Sequence, residues 1–468
     1  MARRAMRDVI VLLPGITGSV LQKDGKDVWA FSGGAIIRAL LSLGGSIKDL
    51  ALTDDPPDED DLGDGVTADR VMPDIHLIPG FWKIDGYGKV ATAIEEAFDV
   101  RRGENFFEFP YDWRRDNRAA ARKLARETHD WLGAWRERSG NADAKLILVG
   151  HSMGGIVSRY FVEVLDGWRD TRMLVTFGTP YRGSLNALGF LVNGMAKKLG
   201  FLTLVDLSAM LRSFTSVYQL LPIYPCYDGG QGLGRIAETA GIPNVDQEKA
   251  RAALAFHREI ETAVDAHLKD DAYLQDRYAI HPVVGTFQPT SQSARLGAEG
   301  VEILREHDGQ DQDGDGTVPL VSATPIELGN QPHAMYAAAR HSSLQNMDEV
   351  LVQLTGLLQG LSVDLDTFRD LRTALRLDLE DAFLMDEPIP VRVLPEDPES
   401  VARLATSVMD AETGAEVAQG TLAPGDDGWF QAELAPLPAG AYRVTVSGVG
   451  PVKPVTDVFA VFDPALGP

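Results

Sequence analysis

The chain has 468 residues, and its 44% apolar and 24% charged residues are typical of a folded globular protein with more than one domain. Its net charge of −24 would repel nucleic-acid backbones and anionic membrane surfaces, so we do not expect nucleic acid as a partner. The single cysteine, Cys226, rules out an internal disulfide and zinc sites built on cysteine pairs. The apolar run near the N-terminus is too short for a signal peptide, and no run is long enough for a membrane span. We therefore expect a cytoplasmic protein.

Short apolar runs alternate with longer amphipathic segments over residues 1–360, as in a mostly parallel sheet with crossover helices. The predicted strands are 9–13, 106–109, 145–149, 173–177, 282–287 and 333–338. The predicted helices are 88–98, 115–138, 153–165 and 342–358. This part of the chain is therefore predicted to form an α/β domain.

Two segments interrupt the alternation. Residues 21–87 contain an acidic run and are predicted to form a solvated surface excursion. Residues 184–280 are too long for an ordinary connection and carry two apolar helical faces. The first face comprises Leu188, Leu191, Val192, Met195, Leu199 and Leu202, and the second comprises Leu207, Met210, Leu211, Phe214, Val217, Tyr218 and Leu221. Either these faces pack on the core of the protein, or the insertion is a movable cap, or lid, over a substrate cleft.

The pattern changes beyond residue 360. Residues 361–384 are predicted to be a helical connector, and residues 385–468 an accessory β-sandwich domain of immunoglobulin-like type, because short apolar runs alternate there with turn residues. Residues 361–468 hold 7 Lys and Arg against 19 Asp and Glu. This charge difference indicates a separate domain, and the sequence does not identify a protein partner for it.

Residues 150–154 match the G-x-S-x-G pattern between an apolar strand and a helix. This is the context of a nucleophile elbow, where a sharp turn raises the serine hydroxyl above the sheet and glycines leave room for neighbouring backbone. The pattern predicts Ser152 as a nucleophile on an α/β-hydrolase fold.

A serine hydroxyl needs a histidine base that is oriented by a carboxylate, and in this fold the acid precedes the histidine in the chain. Asp315 is the candidate acid, and of nine histidines only His333 and His341 follow it. His333 stands at the start of a predicted strand, whereas His341 follows its carboxyl end, where catalytic loops lie. We therefore predict His341 as the base, with His333 as the alternative.

The loop around Asp315 has a second interpretation. Asp311, Asp313, Asp315 and Gly316 match the first half of a calcium loop, but Ser322 stands where the bidentate glutamate belongs. An EF-hand is therefore excluded. A hard-cation site on the three carboxylates stays open as an alternative to turn-forming roles for Asp311 and Asp313. Our prediction is that the protein uses no metal and no cofactor.

The negative oxygen formed during nucleophilic attack needs two backbone N–H donors, one of them on the residue after the serine. That residue is Met153. The second donor should lie in the loop after the first strand, where small residues let the backbone approach, and we assign it to Ile16. The alternative is that this loop is only a tight turn.

Residues 110–114 combine an acid–base pair with two aromatic rings. Asp112 and Arg114 either fix the corner between a strand and a helix, or Tyr111 and Trp113 line an acyl pocket at the carboxyl end of the strand. Both alternatives remain open.

Six motifs occur in an order that resembles the lecithin:cholesterol acyltransferase family, namely LPGITG (13–18), PYDWR (110–114), GHSMG (150–154), GTPYRGS (178–184), DGDGTV (313–318) and HSSL (341–344). That family comprises lipases, phospholipases and acyltransferases of the α/β-hydrolase fold. The resemblance covers about residues 8–358 and implies Ser152, Asp315 and His341 as the catalytic triad, with Ile16 and Met153 as oxyanion donors. The chain lacks the disulfides of the secreted eukaryotic members, and its C-terminal domain lies outside the resemblance.

These observations lead to three functional hypotheses. The first is a serine-dependent lipid ester hydrolase or acyltransferase that forms an acyl-enzyme and makes transient contact with a lipid aggregate or membrane surface. The second is a serine hydrolase of soluble esters or thioesters, and the third a non-catalytic effector or binding module that acts through the acidic C-terminal domain.

Overall fold

The computed structural model describes residues 3–29, 50–73, 76–78, 82–194, 196–199, 202–298, 300–328, 334–359, 373–398, 401–425, 427–449 and 452–463. At the centre lies a six-stranded sheet in which all neighbouring strands are parallel. Its strands in chain order are β1 (Val9–Leu13), β2 (Phe106–Glu108), β3 (Leu146–His151), β4 (Thr171–Phe177), β5 (Ala279–Thr286) and β6 (Met335–Ala338). The order across the sheet is β6-β5-β4-β3-β1-β2.

The middle of this sheet consists of continuous apolar runs rather than alternating ones. Every residue of β1 and β3 is buried, as expected where helices cover both faces of a parallel sheet. Together with the elbow that follows β3, this arrangement confirms the α/β-hydrolase fold class.

The α-helices among the described residues are α1 (Gly88–Ala97), α2 (Asn117–Ser139), α3 (Met153–Val164), α4 (Leu185–Asn193), α5 (Ser208–Ser213), α6 (Thr215–Gln219), α7 (Gln247–His267), α8 (Asp271–Asp276) and α9 (Asp348–Leu358). Helix α3 packs against α2 and α7, and α1 packs against α9. Helix α9 begins later than predicted, because Leu344–Asn346 form a separate 3₁₀ turn and Met347 is extended. None of the helices in the described part of the chain has the length and apolar composition needed to cross a membrane.

The 21–87 segment is more ordered than predicted. It contributes to an antiparallel sheet of Ser19–Lys23, Lys26–Trp29 and Val66–Val71 and to a hairpin of His76–Ile78 and Trp82–Ile84. Its acidic run is not simply solvated. The buried carboxylate of Asp55 pairs with Arg115 at 3.0 Å, and Asp60 pairs with Arg122 at 2.7 Å, so the run packs against the start of α2.

The predicted first helical face of the 184–280 insertion is only partly correct. Helix α4 ends at Asn193, before Gly194 with φ of 70°, and Ala196–Leu199 pairs with Leu202–Asp206 in a hairpin. A positive φ is the backbone conformation in which glycine commonly ends a helix. Leu199 and Leu202 therefore do not continue the face, and Met195 lies outside the described residues.

The residues of the two apolar faces that lie on and around α4, α5 and α6 are buried. Leu188, Leu191 and Val192 on α4, and all seven residues of the second face on and around α5 and α6, belong to the main apolar core. The insertion also contains two short strands, Tyr227–Asp228 and Leu233–Gly234, which join Ser293–Gly297 and Gly300–Leu304 in a second sheet. In this conformation the described residues of both faces lie in the core, which agrees with the first of the two alternatives.

The C-terminal part forms an eight-stranded sheet that curls around its own apolar core. Its strands are β7 (Leu375–Asp378), β8 (Ala382–Leu384), β9 (Ile389–Pro395), β10 (Leu404–Asp410), β11 (Glu416–Pro424), β12 (Phe430–Leu434), β13 (Gly440–Gly448) and β14 (Val455–Phe462), in the order β7-β9-β12-β11-β10-β13-β14-β8. We call residues 373–463 the β-domain.

The predicted helical connector 361–384 is wrong over its last part. Strands β7 and β8 lie there, because Leu375 and Leu377 alternate with polar residues and both are buried. Residues 360–372 lie outside the described part of the chain. Most side chains of strand β11 are exposed and polar or small.

The β-domain is not held at a distance from the α/β domain. Five of its side chains belong to the apolar core of the α/β domain, namely Ala382, Leu384, Val458, Ala460 and Phe462. Strands β8 and β14 therefore have one face in each domain's core.

Candidate active site

Ser152 lies at the turn between β3 and α3. Its φ of 52° and ψ of −123° are unusual for a residue with a side chain, and such strain persists only where the surroundings enforce it. Its backbone N–H donates to the carbonyl of Phe177 on β4 at 2.8 Å. The structure thus has the strand–turn–helix geometry that the G-x-S-x-G pattern predicted.

The glycines of the elbow are required by close backbone contact. A Cβ atom on Gly154 would stand 2.5 Å from the carbonyl oxygen of Pro14, and one on Gly150 would stand 2.8 Å from the backbone nitrogen of Gly155. Neither position has room for a larger side chain. The missing side chains let the loop after β1 lie directly against the elbow.

Ser152, His341 and Asp315 form one hydrogen-bonded chain. The Ser152 Oγ lies 3.0 Å from His341 Nε2, and His341 Nδ1 lies 2.7 Å from Asp315 Oδ2. A carboxylate accepts hydrogen bonds, so Nδ1–H donates to Asp315, and Nε2 then accepts a hydrogen bond from the Ser152 hydroxyl. The structure brings together the three residues that the sequence analysis selected, whereas His333 lies outside the described residues.

Backbone contacts fix Asp315 in place. Its second oxygen accepts from the N–H groups of Thr317 at 2.9 Å and Val318 at 2.6 Å, and its carbonyl accepts from the N–H of His341 at 2.8 Å. The acid and the histidine are therefore linked through backbone as well as side chain.

The neighbouring carboxylates of Asp311 and Asp313 have other contacts. Asp313 accepts from the N–H of Phe287 at 2.7 Å, Asp311 accepts from Gln292 Nε2 at 2.5 Å, and Arg376 of the β-domain lies within 3.7 Å of both. Burial raises the pKa of Asp313. Among the described residues, no three carboxylate, histidine or cysteine side chains converge as metal ligands do. Asp311 also accepts from the N–H of Asp313, and Asp313 from the N–H of Gly314, both at 2.9 Å, which are contacts of the turn-forming kind.

The two predicted oxyanion donors flank the serine. Met153 is the first residue of α3, where backbone N–H groups have no partner within the helix. Ile16 lines a small apolar cavity together with Ser152, and a Cβ atom on Gly15 would stand 2.9 Å from the Ser152 Cβ. Ile16 and Met153 therefore both lie next to Ser152.

Two residues that sequence reasoning missed support this loop. The Gly15 N–H donates to the Tyr87 hydroxyl at 2.7 Å, the Tyr87 hydroxyl lies 2.8 Å from His151 Nδ1, and His151 Nε2 lies 3.2 Å from the carbonyl of His341. Burial lowers the pKa of His151, so the ring is neutral and Nε2–H donates to that carbonyl. This chain links the loop after β1 to the backbone of His341. The only sequence signal was the histidine inside GHSMG, and Tyr87 had none.

Among the described residues, Tyr111 and Trp113 are not part of the lining of the cavity that Ser152 lines. The Tyr111 hydroxyl donates to the carbonyl of Pro14 at 2.8 Å, and Trp113 Nε1 donates to the carbonyl of Ser19 at 3.1 Å. Both rings are buried, and the fully buried Arg114 pairs with Asp112 at 2.6 Å. These contacts favour the corner-fixing alternative, because both rings hold the segment that follows β1.

Two cavities meet at the candidate site. The apolar one measures only about 10 Å³ and is lined by Ile16, Ser152, Ala187, Phe190, Val217 and Leu220, among others. The other measures about 450 Å³ and is more polar, with Asp315 and His341 on one side and residues 378–381 of the β-domain on another. Phe190 and Thr317 line both cavities, and Phe190 is half-buried.

The sequence model of the lecithin:cholesterol acyltransferase family matches residues 82–256. The chain resembles this family. The match includes the elbow at Ser152 and ends before Asp315 and His341. A search of curated proteins found no relative.

Solved structures with a similar fold include two forms of the Bacillus licheniformis lipase BlEst2. The mature form is 13% identical, with 76% of this chain and 94% of that chain covered and a TM-score of 0.35. The propeptide form is 13% identical, with 98% of this chain and 75% of that chain covered and a TM-score of 0.37. The phospholipase PlaB from Legionella pneumophila is 11% identical, with 80% and 87% covered and a TM-score of 0.30. Similarity this distant carries no information about substrate.

Proposed function

We propose that the protein is a serine-dependent lipid ester hydrolase or acyltransferase of the lipase and phospholipase type. The observation that carries the proposal is the hydrogen-bonded chain from Ser152 through His341 to Asp315 at a strained elbow. A serine placed in this way is activated for acyl transfer by the base beside it. The resemblance to a family of lipases, phospholipases and acyltransferases supports lipid esters as the substrate class.

In the proposed first step, Ser152 Oγ attacks the ester carbonyl carbon while its proton passes to His341 Nε2. Asp315 stabilises the imidazolium that forms. The carbonyl oxygen becomes an oxyanion and accepts hydrogen bonds from the N–H groups of Ile16 and Met153. The intermediate then expels the alcohol, which takes the proton from His341, and the acyl group stays on Ser152.

In the second step, another nucleophile takes the acyl group. Water or an alcohol loses its proton to His341 and attacks the acyl carbon, and Ser152 leaves with that proton. Water yields a hydrolase and an alcohol yields a transferase, which differ in how the site admits water. We assign the acyl chain to the apolar cavity and the alcohol half of the ester to the polar cavity.

The apolar cavity is far smaller than known ligand sites, which hold roughly 300–1,000 Å³. An acyl chain therefore requires the side chains around it to move. Phe190 is the large side chain best placed to do so, because it is half-buried and lines both cavities. We propose that the 184–280 insertion admits the acyl chain by movement at Phe190 rather than by opening of its buried face.

The test of the proposed function is covalent labelling with a fluorophosphonate probe, followed by mass spectrometry of lipid products. Wild-type protein should be labelled at Ser152, and Ser152→Ala should remove labelling and lower turnover by roughly 10⁴-fold or more. His341→Ala should cost about as much, and the double variant little more, because the two residues act together. Labelling elsewhere, or retained turnover in Ser152→Ala, would refute the mechanism.

A hydrolase of soluble esters is the second candidate. The observation that favours it is the burial of Leu188, Leu191 and Leu211 in the main core, since a packed insertion needs no lipid surface to open it. Turnover that rises sharply when the substrate forms micelles would decide for lipid esters. A rate that follows only the monomer concentration would decide for soluble ones.

A further inference from the structure

The loop that carries His341 is held by the β-domain. Arg340 Nε lies 3.1 Å from Asp457 Oδ2 on β14, and the Ser342 hydroxyl donates to Asp457 Oδ1 at 3.3 Å. The next hydroxyl, that of Ser343, donates to the carbonyl of Thr456 at 3.2 Å. The residues on both sides of His341 therefore contact the same short segment of β14.

Asp457 is an unusual residue for its position. Its side chain is fully buried, and most of the other residues of strand β14 are apolar. A buried carboxylate is costly unless it is paired and hydrogen-bonded, and apolar residues of similar size often stabilise such positions better. Stability of the domain contact alone is therefore a weak reason for an acid there.

The contacts of Asp457 bear directly on catalytic geometry. Between the two residues that it holds, His341 must keep Nε2 3.0 Å from Ser152 Oγ and Nδ1 2.7 Å from Asp315. Misplacement of a catalytic group by about 1 Å can cost roughly a hundredfold in rate. Within the α/β domain the loop is held by backbone hydrogen bonds, from the N–H of Asp85 to the carbonyl of Ser342 and from the N–H of His341 to the carbonyl of Asp315, both at 2.8 Å, and α9 begins only at Asp348.

We propose that Asp457 is a positioning residue for His341, so that the β-domain forms part of the catalytic unit. The inference rests on the proposed function. Because its side chain is fully buried and does not line the polar cavity, Asp457 acts through Arg340 and Ser342 rather than on the substrate.

The test compares Asp457→Asn with Asp427→Asn in the full-length protein. The first variant keeps the size of the side chain and removes its charge, and it should lower kcat by about tenfold to a hundredfold with KM within about twofold. Asp427 is an exposed residue of the same domain, so the matched control should turn over like wild type. Equal kcat values for Asp457→Asn and wild type would overturn the proposal.

A double-mutant cycle separates positioning from general damage. In a His341→Ala background, Asp457→Asn should cause no further loss of the residual rate, because it acts through the missing imidazole. A further loss of the same size as in wild type would show a merely structural role and overturn the proposal. Absence of Ser152 labelling in wild-type protein would instead refute the proposed function, on which the positioning role depends.

If Asp457→Asn unfolds at the assay temperature, a second variant tests the same positioning role. Ser342→Ala combined with Ser343→Ala removes both hydroxyl contacts from the loop and leaves the buried ion pair in place. This variant should lower kcat by about threefold to tenfold, the scale of one or two hydrogen bonds. Unchanged kcat in this folded variant would overturn the proposal.

Discussion

At the scale of single residues, the candidate site depends on a few close contacts between backbone and side chain. Ser152 has a positive φ, and Gly150 and Gly154 lie where a Cβ atom would collide with neighbouring backbone. Asp315 accepts two backbone N–H groups in addition to His341. Asp313, two residues earlier, does not contact His341, so we expect substitutions of Asp315 and Asp313 to have different effects.

Asp315→Asn should lower turnover by roughly 10⁴-fold, because the amide cannot stabilise the imidazolium and favours the wrong histidine tautomer. Asp313→Asn should be mild, since Asp313 accepts from the backbone of Phe287 and Gly314 and does not contact His341. Steady-state kinetics on an activated ester, with and without added calcium, measures both. Equal losses accompanied by calcium-dependent activity would favour the cation-site alternative.

At the scale of secondary-structure elements, α4 carries two neighbouring side chains with different surroundings. Leu188 is fully buried in the main core, whereas Phe190 is half-buried and lines both cavities. One helix therefore offers a matched pair of substitutions that distinguishes core packing from control of access.

Phe190→Ala should enlarge the apolar cavity and raise turnover of a long-chain aggregated ester relative to a short soluble one by several fold. Leu188→Ala should leave that ratio unchanged and destabilise the protein by about 2–5 kcal/mol, the cost of a core cavity. The ratio of the two activities and the melting temperature are measured for each variant while it is folded. If Leu188→Ala changed the ratio at a normal melting temperature, the buried face would be a moving lid.

At the scale of the whole molecule, the two domains share apolar side chains and ion pairs. Strand β14 packs into the α/β core through Val458, Ala460 and Phe462, and Asp85 of the α/β domain pairs with Arg443 of the β-domain. We expect the free energy of unfolding to depend on the buried polar and ionisable groups of both domains. A buried histidine in the insertion provides a test by pH.

Burial lowers the pKa of His257 on α7 to about 4, while an unfolded histidine titrates near 6.5. Below about pH 6.5 the unfolded chain therefore binds a proton that the folded protein does not bind until about pH 4. From this group the free energy of unfolding should fall with decreasing pH by about 1.4 kcal/mol per pH unit across that window. Urea denaturation at pH 7, 6 and 5 measures the slope.

His257→Gln should remove the contribution of His257 to this slope, because glutamine does not titrate. Glutamine can still donate a hydrogen bond to the carbonyl of Gln219. His129→Gln, on the exposed side of α2, is the control and should behave as wild type. Identical slopes for His257→Gln and wild type would contradict the assignment of a neutral buried histidine.

Much of the fold could be predicted because the information is local. Continuous apolar runs predicted the parallel strands, and glycine spacing around Ser152 predicted the elbow, since both follow from burial and backbone geometry. The chain order of Asp315 and His341 predicted which side chains would meet Ser152. The errors lie where local patterns are short or interrupted: the alternation at Leu375 and Leu377 spans a strand of only four residues, and Gly194 ended α4 within an apolar stripe.

By itself, the sequence determined the α/β class, the elbow and the three residues that form the hydrogen-bonded chain, because period, glycine spacing and chain order are properties of the linear chain. Only the tertiary structure decided that Tyr87 and His151 support the loop after β1, that Phe190 lines two cavities, and that Asp457 lies beside the loop of His341. These contacts join residues that are distant in the chain, and no local propensity encodes which of them pack together.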